Sequence, residues 1–73
     1  MKYAVVRINN NWAGDVEFYR CTTKEVAIIS AQRDWQNLCK YDQKHSVIEA
    51  VEYNNENDNP LEGYNVIWSS KEE

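Results

Sequence analysis

The feature that most constrains this chain is residues 22–41, TTKEVAIISAQRDWQNLCKY, where apolar side chains recur at helical spacing. Ile28, Ala31, Trp35, Leu38 and Cys39 fall on one stripe, because residues three and four apart share a helix face. Arg33, Gln36, Asn37 and Lys40 fall opposite and are expected to face water. Thr22 and Glu25 have capping-box spacing, so the helix is expected to begin at Thr22. Val26 and Ile29 lie off the stripe, either buried at a sheet margin or exposed for a partner. A competing reading makes residues 25–30 a short strand with the helix starting at Ser30; the continuous stripe favours the helix.

The flanks alternate as strands do. Residues 2–8, KYAVVRI, are rich in β-branched residues and end at three asparagines, and residues 16–21, VEFYRC, alternate. Setting Ile8 opposite Val16 puts Val6 opposite Phe18 and Arg7 opposite Glu17, an apolar pair and an ion pair in one antiparallel register. Ala4, Val6, Ile8, Val16 and Phe18 then share the face expected to form the core. Residues 46–53 and 64–70 read as a third and fourth strand. They are separated by the polar loop 54–63. In this second hairpin the set Val47, Val51, Val66 and Trp68 competes with Ile48, Ala50 and Ile67 for the inward face. Both are partly apolar, so one face is expected to be covered by something other than the helix.

The expected architecture is therefore one α+β domain over residues 1–73, a four-stranded antiparallel sheet with one helix on one face, in the order ββαββ. A chain this short buries a modest share of its surface, and a homodimer is one way to add to it. Cys21 and Cys39 have no paired-ligand spacing and read as small buried apolar residues in a reducing compartment. No apolar run nears the roughly 18 residues a membrane helix needs. The opening residues alternate too much for a secretory signal. A soluble cytoplasmic protein is expected.

Charge is unevenly spread. Residues 1–48 hold seven Lys or Arg against five acids, net +2, whereas in residues 49–73 seven acids face Lys71 alone, net −6. An acidic end favours a basic partner and disfavours phosphate backbones, although it also reads simply as a solubilising loop and tail.

Few constellations carry chemistry. A nucleophile–base pair would need Cys21 or Cys39 with His45, which nothing in the sequence brings together. Glu49 and Glu52, three apart, point to opposite faces of a strand. The loop acids Glu56, Asp58 and Glu62 lack the spacing and central glycine of a calcium loop. No catalysis, metal or cofactor is expected. Nine aromatic residues in 73 exceed what this core requires, and Tyr and Trp anchor interfaces. Protein binding is the expected function, through Tyr3, Trp12, Tyr19 and the acids Glu52, Glu56, Asp58 and Glu62. Trp12 in its polar loop reads either as an anchor or as a lid over the core. Two alternatives stand beside this: a single-stranded nucleic-acid binder using Tyr3, Tyr19, Tyr53, Tyr64 and Trp68 as stacking platforms, and a structural homo-oligomer.

In size, acidity and element order, with KYAVVRI opening the chain and a Trp-containing strand YNVIWSS near its end, the sequence resembles the small phage-encoded anti-CRISPR proteins, in particular inhibitors of type I systems. That resemblance implies a non-enzymatic inhibitor acting in the host-cell cytoplasm. It would bind a basic surface of a host defence nucleoprotein complex, a CRISPR effector, and block nucleic-acid access or a conformational step.

Overall fold

The computed structural model describes residues 1–9, 15–54 and 59–71, with Asp15 described by its backbone. Its elements are β1 (Lys2–Asn9), β2 (Asp15–Cys21), α1 (Lys24–Asn37), α2 (Lys40–His45), β3 (Ser46–Tyr53) and β4 (Asn65–Ser69). The four strands form one antiparallel sheet in the order β2-β1-β3-β4. The α+β class and the ββαββ order hold, with the second helix as an addition.

The first hairpin has the expected register: Ile8 faces Val16, Arg7 faces Glu17 and Val6 faces Phe18. Arg7 donates from Nε to Asn9 Oδ1 at 3.0 Å, and Ser46 Oγ donates to the same oxygen at 3.0 Å. One asparagine thus ties the end of β1 to the start of β3. Because β2 and β3 are both antiparallel to β1, they run parallel to each other on its two sides. Parallel strands need a crossover, and α1 with α2 supplies it, so α1 lies chiefly over β1 and β3.

The helix begins one residue later than expected. Thr23, not Thr22, is the N-cap, and its Oγ1 accepts from the Val26 amide at 3.2 Å. The third helical residue is then Val26, so Glu25 stands one place short of the reciprocal position and the box is not made. The helix also does not run through to Tyr41. Leu38 and Cys39 are extended, and α2 starts at Lys40. The last turn is satisfied locally, because the Trp35 carbonyl accepts from the Leu38 amide at 3.2 Å and from Gln43 Nε2 at 2.8 Å. This side-chain cap lets the chain turn toward β3 without a glycine or proline.

The helix packs on the face opposite to the one expected. Ala27 and Ala31 are fully buried against Val5, Ile48 and Ala50, with Ile28, Trp35 and Leu38 flanking them. Two alanines facing a third allow close approach of helix to sheet, which bulkier residues at these positions would prevent. The face of Ala4 and Val6 is also buried, in a second cluster with Val51 and Tyr53, onto which Ile8 and Tyr64 pack. Tyr64 follows a turn in which the Glu62 amide donates to Asn59 O at 3.2 Å and the Leu61 amide to Asn59 Oδ1 at 2.9 Å. Asn and Pro at the first two turn positions favour this geometry, and Pro60 is fully buried. Gly63 completes the turn with φ +56°, a left-handed conformation that favours glycine.

In the second hairpin, Ile48 and Ala50 face the helix. A register shift between Ala50 and Val51 lets Ile67 and Trp68 both reach the helix-side cluster, while Val66, opposite Val51, is left exposed. A bulge of this kind breaks the strict alternation of strand faces, so the set Ile48, Ala50 and Ile67 faces the helix and is joined there by Trp68 from the other set, which is split.

Candidate binding groove beside the edge strand

Since α1 covers β1 and β3, the helix-side face of the edge strand β2 is left partly open. A groove of about 510 Å³ lies there. Val5, Ile48 and Leu38 give it an apolar lining, and Arg7, Glu17 and Tyr19 contribute from the hairpin. Asp34 and Asn37 contribute from α1, and Phe18 also borders it. The volume lies within the range typical of ligand and side-chain pockets.

Tyr19 joins the two elements. Its hydroxyl donates to Asp34 Oδ2. Partial burial, then the Asp34 carboxylate as hydrogen-bond partner and charge, push the phenol above its ordinary range, with Cys21 adding to the effect and Ser30 opposing it. Cys21, on the same face, is pushed up by burial and by Asp34 in turn. A thiol held protonated is a poor nucleophile. Its counterpart from the sequence, His45, lies against Tyr41 in α2, the rings tilted at 52° with centroids 4.5 Å apart.

β2 itself is the most exposed strand. Residues 16–20 are all exposed, including the apolar Val16, Phe18 and Tyr19. Glu17, Tyr19 and Cys21 alternate onto the groove side. Val16, Phe18 and Arg20 fall on the other side, where the Arg20 guanidinium sits 5.8 Å from the Phe18 ring centroid.

Of the residues expected from the sequence to form a site, Tyr3, Tyr19, Glu52 and Glu62 are among the described residues. Tyr19 lies in the groove. Tyr3, expected to be exposed, is half-buried against the helix-side cluster, and Glu52 lies opposite it on β3. Glu62 is exposed in the turn before Gly63. Trp12, Glu56 and Asp58 lie outside the described residues. Cys39 is exposed and Cys21 half-buried, both as free thiols, so neither is the fully buried apolar residue expected. Val26 and Ile29, off the stripe, are exposed and not buried at a sheet margin.

Sequence reasoning passed over Asp34, which stands three residues after the buried Ala31 and four before Leu38. That spacing was the available signal, since it places a carboxylate at the margin of the apolar stripe. Among the described residues, no group of three or more His, Cys, Asp or Glu is placed to hold a metal ion, and no helix is long and apolar enough to cross a membrane. No family model matches the chain, and no curated protein or solved structure matches it either.

Proposed function

We propose that this chain is a non-enzymatic protein-binding domain that uses β2 and the groove beside it to take a basic surface of a larger complex. The observation that carries this reading is the run of exposed apolar residues Val16, Phe18 and Tyr19 on an edge strand, next to a groove holding the Glu17 and Asp34 carboxylates. Exposed aromatic residues contribute large contact area at low entropic cost. Carboxylates beside them select basic partners and speed encounter. The specific form favoured by the resemblance above is inhibition of a phage-host defence complex.

The same features weigh against the alternatives. The groove's two carboxylates repel a phosphate backbone, leaving Arg7 as its one cation among the lining residues. Tyr3 packs into the helix-side core and is not a free stacking platform. The Cys21 thiol, held protonated by burial and Asp34, and His45, packed against Tyr41 in α2, support the non-enzymatic reading.

The test is capture from a bacterial lysate by tagged wild-type protein and by Tyr19→Ala and Glu17→Lys variants, with and without nuclease. A stoichiometric, nuclease-resistant protein that the variants fail to retain is the expected result. Nucleic acid in its place, or binding abolished by nuclease, would overturn the reading.

A further inference from the structure

We infer that the partner enters as a fifth strand: an extended segment pairs with β2 and sends a lysine or arginine side chain into the groove toward Glu17 and Asp34. This rests on the protein-binding reading and states how that surface is used.

The two sheet edges differ. β4 is five residues long, and its pairing with β3 is interrupted by the register shift at Ala50 and Val51. β2 pairs with β1 in unbroken register from Cys21 to Asp15. It carries no proline or bulge, two of the devices that keep an edge from recruiting another strand, and its charged Glu17 and Arg20 restrict which strand it can accept. A regular edge strand is the template for strand addition, in which main-chain hydrogen bonds give affinity and side-chain pockets give specificity.

The occupant follows from which groups lie on each face. A strand added to β2 would alternate its side chains. Those on the helix side meet the groove, where Glu17 and Asp34 outnumber Arg7, whose Nε is engaged by Asn9. Those on the other side meet Val16 and Phe18, with Arg20 lying over the Phe18 ring and disfavouring a basic residue there. The recognised pattern is therefore basic residues alternating with apolar ones.

A second copy of this chain fits less well. Antiparallel pairing of β2 with itself about a two-fold axis keeps the helix sides together, so each copy's Glu17 and Asp34 approach the other's. Gathering like charges opposes association.

The test uses the fluorescein-labelled peptide Thr-Lys-Val-Arg-Val-Lys-Thr and the same peptide with its three central amides N-methylated, followed by anisotropy against the full chain. Strand addition predicts that methylation weakens binding about tenfold or more, the equivalent of one ladder bond or two. Glu17→Lys and Asp34→Asn, with folding checked by circular dichroism, are expected to weaken the unmethylated peptide by about tenfold and to reduce its salt dependence. The β2 amides that point away from β1 should gain protection from hydrogen exchange when the peptide binds.

Equal binding of the two peptides, no binding of either, or affinity unchanged in both variants would overturn the inference. So would a concentration-dependent dimer that Phe18→Lys dissolves, because the edge would then belong to a second copy. If the peptide fails but Tyr19-dependent lysate capture persists, strand addition falls and the protein-binding reading stands. Loss of both removes both.

Discussion

Tyr19 stands on the edge strand β2 and borders the groove. Its hydroxyl links the edge strand to α1 through Asp34, and burial with that carboxylate raises its pKa above the ordinary 10.0. A group whose folded pKa is raised contributes its full stabilisation below the unfolded value. Above about pH 10 the unfolded chain releases the proton while the folded one retains it, so that contribution falls as pH rises. Tyr19→Phe is expected to cost about 0.5–1 kcal/mol at pH 8, the scale of one solvent-accessible hydrogen bond. It should also flatten the decline of wild-type stability above about pH 10. Urea titrations of both proteins at pH 8, 10 and 11 check this; parallel decline in the two would rule Tyr19 out as its source.

The elements show how local signals compete. Thr22 and Thr23 are adjacent and chemically identical, and a pattern based on spacing chose the first because of Glu25. The structure caps with the second, since the chain leaves β2 at Cys21 and has only two residues in which to turn into α1. Thr23→Ala is therefore expected to lower stability by about 1 kcal/mol, the usual loss on removing an N-cap. Thr22→Ala, at an exposed position outside the helix, should change it by less than about 0.5 kcal/mol. Thermal melts of the two variants side by side decide between the assignments. The break at Leu38 and Cys39 has no comparable signal, because the apolar stripe continues through it. It is fixed by Gln43, eight residues further on, reaching back to the Trp35 carbonyl and by β3 having to start beside β1.

At the scale of the whole molecule, the sheet has buried residues on both faces, one cluster around Val5, Ala27, Ala31, Ile48 and Ala50, the other around Ala4, Val6, Val51 and Tyr53. Most members are small. Few large side chains are fully buried, so each contributes a large share of the total. Ile48, 1% exposed beneath the helix, is expected to cost about 2–5 kcal/mol when truncated to alanine. Against a total of about 5–15 kcal/mol for a typical domain, Ile48→Ala should lower the melting temperature markedly. Loss at Val66, 46% exposed on the edge strand β4, should be nearly silent. Circular-dichroism melts of Ile48→Ala and Val66→Ala test the contrast.

Short-range pattern is sufficient for the four strands and for the existence of α1, though not for its end or for α2: period two for the strands, period 3.6 for α1, and one register that aligns Ile8 with Val16 and places Arg7 opposite Glu17. The order ββαββ, and with it the α+β class, followed. Which face the helix covers did not. Both sheet faces carry apolar residues, and the choice depends on Ala27 and Ala31 meeting Val5 and Ala50 at close range, a match between segments far apart in the chain. The strand order β2-β1-β3-β4 is likewise a property of the crossover. It leaves β2 at the edge, opens the groove beside it and brings Asp34 to Tyr19. Alternation along a strand specifies which side chains share a face; only packing decides which face is closed and which edge is left open.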